Sequence, residues 1–157
     1  MADVYVAGSL RHTPREWWAI YERIAKIIET IGMSAYVPHI HTPNEVGAKA
    51  LDIDNLDMDG NLRAEIYRKQ WKVIENAKLV IAEITQPSTG TGIEIGLALK
   101  LNKPVICMAH KTANITSMVM GPAHLGMVDV IRYDNEEDGM AQLKRLLENK
   151  YKSLLHQ

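Results

Sequence analysis

The feature that most constrains this chain is the alternation of short apolar, β-rich runs with segments of helical periodicity. The β-rich runs end in glycine, proline or polar residues and lie at 4–7, 34–37, 79–84, 104–108 and 128–132. Alternation of this kind is typical of βαβ units built around a parallel sheet. We therefore predict an α/β fold with five parallel strands and helices on both faces of the sheet.

The helical segments are predicted over about 13–32, 61–76, 93–101 and 136–155. The first has the clearest boundaries, because Thr13 and Glu16 fit a capping box, Pro14 suits the first helical position and Gly32 suits the end. The polar segment 39–60 shows no such pattern and is predicted to be an irregular loop. A loop of that length in a compact domain is commonly a lid or a binding loop.

The composition is that of an ordinary globular domain. The chain has 157 residues, of which 46% are hydrophobic and 24% are charged. One domain of this length can bury a sizeable core, and little chain is left for a second domain. We predict a single domain over residues 1–157.

Charge and cysteine content indicate which partners and which cellular compartment fit the sequence. The formal net charge is −1, from 18 basic and 19 acidic side chains, and no long basic run occurs. These features argue against a nucleic acid polymer as the main partner. The single cysteine, Cys107, favours a reducing compartment. The sequence shows neither a signal peptide nor an apolar stretch of bilayer length, so we predict a cytoplasmic protein without a membrane partner.

The first candidate binding loop follows the first strand. Right-handed crossovers place the carboxyl ends of all parallel strands along one edge, which is where such sheets bind ligands. In this loop Gly8 would let a ligand approach the backbone, Ser9 offers a hydroxyl and Arg11 offers a forked cation for a phosphate. A plain turn between strand and helix explains the same four residues, and the spacing matches neither a dinucleotide-binding fingerprint nor a P-loop.

The second candidate loop, residues 87–96, carries a denser signal. It reads Pro-Ser-Thr-Gly-Thr-Gly-Ile-Glu-Ile-Gly, so hydroxyls and glycines, with Ser88, Gly90 and Gly92 among them, precede a predicted helix start. Free backbone amides and the helix dipole would make an anion site there. Glu94 is predicted in the first turn of that helix, where the dipole would keep its carboxylate ionised for nucleophilic attack. The alternative is a capping carboxylate without a catalytic role.

Three segments carry a resemblance to a known family. Tyr5 with the Gly8-Ser9-Leu10-Arg11 loop, the run Ala-Glu-Ile-Thr-Gln-Pro-Ser at 82–88 and the run Gly-Thr-Gly-Ile-Glu-Ile-Gly at 90–96 occur in the order of the nucleoside 2-deoxyribosyltransferase superfamily. Within it the chain most resembles the 2'-deoxynucleoside 5'-phosphate N-hydrolases. The resemblance implies a flavodoxin-like or Rossmann-like three-layer sandwich. It also implies a homodimer in which the partner completes each active site.

The resemblance further assigns roles to individual residues. Glu94 would attack C1' of the deoxyribosyl group and form a covalent glycosyl-enzyme, as in a retaining glycosidase. Tyr5 would orient the Glu94 carboxylate, and Ser88 would hold the 5'-phosphate. Ser117 would be contributed to each active site by the neighbouring subunit. The segment that begins at His39 and runs to residue 47 would form the wall beside the base.

One position departs from the family. The usual active-site aspartate falls on Gln70, whose amide can hydrogen-bond but cannot supply a titratable proton. Cleavage or transfer of the N-glycosidic bond of a 2'-deoxynucleoside or its 5'-monophosphate is the leading prediction. The alternative is a nucleotide-binding or sensing protein with weak or no turnover. A phosphoribohydrolase ranks third, because the paired glycines expected before its Gly-Thr-x-x-Glu motif are missing.

Other polar residues are given plainer interpretations. His39 and His41 lack partners at a metal-ligand spacing, and Asn55, Asp57 and Asp59 lack the final glutamate of a calcium loop, so no metal and no cofactor is predicted. Glu83, late in an apolar strand, is either a second catalytic carboxylate or a supporting hydrogen-bonded one, and the supporting role is favoured.

Overall fold

A computed structural model describes residues 1–11, 13–52 and 58–156 of the chain. Its β-strands are β1 (Val4–Gly8), β2 (Ala35–Tyr36), β3 (Leu79–Glu83), β4 (Val105–His110) and β5 (Asp129–Tyr133). They form one sheet in the order β2-β1-β3-β4-β5, and every pair of neighbours is parallel. This is the strand order of flavodoxin-like folds, so the predicted five-stranded parallel sheet is confirmed.

Six α-helices accompany the sheet in the described part of the chain. They are α1 (Ala19–Thr30), α2 (Pro38–Val46), α3 (Gly60–Asn76), α4 (Thr89–Lys100), α5 (Ser117–His124) and α6 (Glu136–Lys150). The predicted strands and helices agree with these elements to within a few residues, apart from the first helix, α2, α4 and α5, and no helix was predicted where α5 lies.

The core consists of two apolar layers, one on each face of the sheet. Side chains alternate along a strand, so Val4 and Val6 pack on one face of β1 while Tyr5 and Ala7 pack on the other. The first layer is shared with buried residues of α1 and α6, and the second with buried residues of α3, α4 and α5. The three-layer α/β sandwich is thereby confirmed.

The prediction of an irregular loop over 39–60 is wrong for much of that segment. Residues Pro38–Val46 form α2, and Ala48–Leu51 form a short 3-10 helix. The sequence signal was weak because Pro43 lies inside α2 and the helix buries few side chains. Its start is fixed locally, by Pro38 in the first turn and by the Val37 N–H, which donates to His41 Nδ1 at 2.9 Å. Asn55 and Asp57 lie outside the described residues.

The predicted capping box before the first helix is also wrong. A 3-10 helix, Arg15–Trp18, precedes α1, and its N-cap is Pro14 without a side-chain cap. The Thr13 hydroxyl instead contacts Ser9 Oγ at 2.7 Å and donates to the Arg11 carbonyl at 3.2 Å. Short-range hydrogen bonds to the loop after β1 have replaced the predicted cap. Gly32 does follow the end of α1, in a left-handed conformation with φ of 83°.

In residues 1–11, 13–52 and 58–156, no helix combines the length and the apolar character that crossing a membrane would require.

Candidate active site

A cavity of about 590 Å³ opens at the carboxyl edge of the sheet. The loops after β1 and β3 line it, and these strands are neighbours at the point where the strand order reverses. Open α/β sheets bind ligands at this topological switch point, and the volume suits a small molecule of nucleotide size. Helices α2 and α3 supply the remaining wall.

Glu94 and Tyr5 meet beside this cavity. Glu94 lines it from α4, and Tyr5 Oη donates to Glu94 Oε1 at 2.6 Å. The Tyr5 side chain is fully buried and stacks on Tyr36, with ring centroids 5.8 Å apart. Burial next to the Glu94 carboxylate raises the pKa of Tyr5 well above its ordinary value, so the phenol stays protonated and acts as a donor.

The helix that carries Glu94 starts earlier than predicted. Ser88 is the N-cap, its Oγ accepts from the Thr91 N–H at 3.2 Å, and α4 begins at Thr89 rather than near Ile93. Glu94 is therefore in the second turn, beyond the strongest influence of the helix dipole. Burial raises the pKa of Glu94 to about 7, and the hydrogen bond from Tyr5 opposes that rise. The prediction of a first-turn carboxylate kept ionised by the dipole is wrong.

The loop after β1 lines the cavity with Gly8, Ser9, Leu10 and Arg11. Gly8 has a reason besides the predicted one, since a Cβ there would lie 2.2 Å from the Tyr21 ring. The Ser9 side chain is buried, and its hydroxyl contacts Thr13 and the Arg11 carbonyl. These bonds fix the loop. The Arg11 side chain is exposed at the cavity.

The loop after β3 contributes Ser88 and Gly90 but not Gly92. Ser88 and Gly90 line the cavity together with Thr89 and Thr91. Because Ser88 Oγ accepts the capping bond, its O–H hydrogen is still able to donate to a ligand. Gly92 is exposed and does not line the cavity, and a Cβ there would meet no atom within 4 Å. None of the described residues would crowd a side chain at that position.

The opposite wall holds His39 and Gln70. His39 Nε2 lies 3.0 Å from Glu22 Oε1, and its ring packs on Trp18 with centroids 5.1 Å apart. Its Nδ1 is buried and has no hydrogen-bond partner among the described residues. Gln70 lines the cavity from α3 and is half-buried. Helices α2 and α3 therefore both contribute to the wall of the cavity, and the base-side role of the segment after His39 stays a prediction.

Tyr67 and Thr91 are among the cavity residues that the sequence did not predict. Tyr67, one turn before Gln70 on α3, has a ring exposed at the cavity, and Thr91 lies one turn before Glu94 on α4. The available signal was helical spacing, which places residues 63, 66, 67 and 70 on one face of α3. Ser117, by contrast, is exposed at the start of α5 and does not line this cavity.

Sequence relatives align with most of this chain. A 5-hydroxymethyl-dUMP N-hydrolase of Homo sapiens is 29% identical over 136 residues, which cover 85% of this chain and 73% of the relative. The Mus musculus protein of the same name is 30% identical over 139 residues, covering 86% and 74%. A Methanosarcina barkeri protein assigned as a 2'-deoxynucleoside 5'-phosphate N-hydrolase is 28% identical over 145 residues, covering 92% and 81%.

Solved structures share the fold. A CMP N-glycosidase of Clostridium botulinum superimposes with a TM-score of 0.61 at 20% identity, covering 89% of this chain and 96% of the other. A 2-deoxyribosyltransferase of Bacillus psychrosaccharolyticus superimposes with a TM-score of 0.57 at 17% identity, covering 89% and 94%. At these identities the superpositions establish the fold alone.

The fold and the relatives define the class of the protein as a glycosidase-like or deoxyribosyltransferase-like enzyme. The sequence model of the nucleoside 2-deoxyribosyltransferase family matches residues 4–148, and the chain belongs to that family. The resemblance stated from the motifs is thereby confirmed.

Proposed function

We propose that this enzyme cleaves the N-glycosidic bond of a 2'-deoxynucleoside 5'-monophosphate, with Glu94 as the nucleophile. The observation that carries the proposal is the placement of the Glu94 carboxylate at the cavity, where Tyr5 Oη donates to one of its oxygens at 2.6 Å. The second oxygen is available to a ligand. The substrate class follows the names of the human and Methanosarcina barkeri relatives.

The reaction takes two steps. The Glu94 carboxylate forms a bond to C1' as the C1'–N bond breaks, and the base leaves with that electron pair and takes up a proton. Water then attacks C1' of the glycosyl ester, which restores the carboxylate and releases deoxyribose 5-phosphate and a proton. Transfer to a second base in place of water is the alternative outcome. Tyr5 holds the carboxylate in position and stabilises its ionised form, since its hydrogen bond lowers the pKa of Glu94.

The 5'-phosphate is assigned to the polar end of the cavity. Ser88, the backbone around Gly90 and the Arg11 side chain line that end, and the N-terminus of α4 opens onto it. Amides at a helix N-terminus and a forked guanidinium are suited to a phosphate. Ser9 supports this end indirectly, because its hydroxyl bonds within the loop that carries Arg11.

Departure of the base is the step that Gln70 puts in question. An amide can orient a base or a water molecule, but it cannot act as a general acid. The unpartnered Nδ1 of His39 offers one further polar contact on the same wall. A nucleotide-binding or sensing protein with weak turnover is therefore the second candidate, and Gln70 is the observation that favours it.

A homodimer is proposed to complete the site. Ser117 lies outside its own chain's cavity, and the α5 region around it exposes Met118 by 80%, Leu125 by 74% and Met127 by 51%. Exposed apolar residues in this density are typical of a protein–protein interface.

The cytoplasmic location stays a prediction that depends on the reduced state of Cys107.

The test is an assay of base release. The protein is incubated with each of the four common deoxynucleoside 5'-monophosphates, and free base and deoxyribose 5-phosphate are quantified by chromatography. Equal amounts of the two products support hydrolysis. Free base that appears only when a second base is added, together with a new nucleotide and without deoxyribose 5-phosphate, supports the transferase reaction. Tight binding by calorimetry without any product supports the sensing protein.

A matched binding comparison tests the phosphate end. A deoxynucleoside and its 5'-monophosphate are titrated into the same protein by calorimetry. We expect the monophosphate to bind more tightly by about 1.5–3 kcal/mol for each well-formed charge-assisted hydrogen bond, before desolvation losses. Equal affinity would contradict the assignment of Ser88 and Arg11 to a phosphate.

A further inference from the structure

Two aromatic rings on α3 are exposed beside the cavity. Tyr67 is 56% exposed and lines the cavity, and Trp71 is 37% exposed one turn further along. Their ring centroids are 5.6 Å apart. Large aromatic side chains contribute most when they are covered, so an exposed pair at the wall of a cavity points to a surface that a ligand covers.

The wall around Tyr67 mixes apolar and polar side chains. Its apolar residues are Pro38, Ala50, Met58 and Ile66, and its polar residues are His39, Thr42, Arg63 and Gln70. The loops after β1 and β3 and the start of α4 contribute serine and threonine hydroxyls, glycine backbone and Arg11, beside Leu10 and Pro87. A ligand that presents an anionic group to these loops and the flat face of a ring to Tyr67 matches this lining.

The position of Tyr67 on α3 follows from helical geometry. Residues 63, 66, 67 and 70 share one face of the helix, and all four line the cavity. Trp71 follows Tyr67 by four residues, so its ring lies next to the Tyr67 ring without itself lining the cavity. Trp71 is thus placed to hold the Tyr67 ring rather than to contact the ligand.

We propose that Tyr67 is the stacking surface for the base, with Trp71 as its support. The inference depends on the proposed function for the presence of a nucleotide and adds the residue that binds the base. Stacking on an aromatic ring tolerates any base, because every base has a π-face. Tyr67 therefore contributes affinity for the base but none for the sugar phosphate, and purines gain more than pyrimidines because they cover more of the ring.

The experiment measures binding without turnover. In a Glu94→Gln background, dGMP, dCMP and 2-deoxyribose 5-phosphate are titrated into proteins carrying Tyr67, Tyr67→Phe, Tyr67→Leu or Tyr67→Ala. Tyr67→Leu and Tyr67→Ala should bind dGMP about tenfold or more weakly, which corresponds to about 1.4 kcal/mol. The loss for dCMP should be smaller. Tyr67→Phe should bind nucleotides normally, and all four proteins should bind the sugar phosphate within about twofold of one another.

Several outcomes would overturn the inference. Equal losses of affinity for nucleotides and for the sugar phosphate would mean that the ring shapes the whole cavity or a subunit interface. Sedimentation velocity of Tyr67→Ala would separate these two cases. Unchanged nucleotide affinity in Tyr67→Ala would remove the stacking role outright. A loss in Tyr67→Phe equal to that in Tyr67→Ala would assign the effect to the hydroxyl. Failure of the Glu94→Gln parent to bind any nucleotide would instead contradict the proposed function.

Discussion

Two glutamates near the carboxyl edge of the sheet have opposite surroundings. Glu83, at the end of β3, is fully buried and accepts hydrogen bonds from the Thr85 N–H at 3.3 Å, the Thr85 hydroxyl, Tyr133 Oη at 2.8 Å and Trp17 Nε1 at 3.4 Å. Glu94 faces the cavity, and among the described residues Tyr5 is the one side chain that donates to it.

The difference in hydrogen bonding separates a carboxylate that stabilises the fold from one that is available to react. Burial raises the pKa of both groups, while hydrogen bonds to each lower it. The Glu83 oxygens are engaged by donors from several elements, and Glu83 does not line the cavity. Glu94 retains acceptor capacity at the point where a substrate would bind. A carboxylate with free lone pairs in a cavity is available for bond formation, whereas a fully satisfied one holds the fold together.

The largest expected effect comes from replacing the Glu94 carboxylate by an amide. Glu94→Gln should lower the single-turnover rate of base release by more than about 100-fold, which is about 2.7 kcal/mol in the barrier, because an amide is a poor nucleophile. Nucleotide binding by calorimetry should persist. A rate within about tenfold of the native rate would rule out Glu94 as the nucleophile.

The second effect adds an acid opposite Glu94. Gln70→Asp should raise the rate of base release by about tenfold to 100-fold, since general acid help is commonly worth about 10²–10⁴-fold. A purine leaves poorly as an anion, so the gain should be larger for poor leaving groups than for activated ones. Single-turnover rates on one deoxynucleotide are compared, with Glu94→Ala as the blank.

Each other result of the Gln70→Asp assay has a definite meaning. If Gln70→Asp is no faster than the native protein, position 70 is not where an acid assists departure of the base. If the native protein and Gln70→Asp both match the Glu94→Ala blank while nucleotides still bind, the sensing function is favoured over catalysis.

The third effect concerns stability and uses Glu83 as the matched control. Glu83→Gln places an amide donor against the Thr85 and Tyr133 donors, so the free energy of unfolding should fall by about 1–3 kcal/mol. Urea unfolding measures this change. Base release by the folded variant should stay within about threefold of the native rate. Loss of turnover with unchanged stability would instead make Glu83 a second catalytic carboxylate.

The smallest effect is a shift of a pH profile. Glu94 must be ionised to attack, so kcat/KM should rise with pH through the pKa of about 7. Tyr5→Phe removes the donor that lowers this pKa, so the acid limb should move to higher pH by about one unit. The substrate phosphate also titrates near this range, but equally for both proteins, so the difference isolates Glu94. An unchanged limb would mean that another group controls the profile.

The sequence was sufficient where local patterns carry the information. Short β-rich runs separated by helical spacing predicted five strands and the three-layer sandwich, because alternation along a strand and helical periodicity are local properties. The resemblance predicted that Tyr5 and Glu94 act together although they are 89 positions apart, and the structure places them in hydrogen-bond contact. That success depended on the family resemblance, since no local rule joins β1 to α4.

Two features were decided only by the tertiary structure, and a third by a short-range contact. Thr13 reads as a helix cap, yet its hydroxyl bonds to Ser9 and Arg11, four and two residues earlier. Gly8 reads as an approach for a ligand, and the structure adds a second reason, because the ring of Tyr21 occupies the space where a Cβ would be. Glu94 reads as an ionised first-turn carboxylate, yet burial raises its pKa to about 7. Neighbouring residues specify local conformation, whereas the burial and the partners of a side chain depend on segments far away in the chain, which only the folded structure brings together.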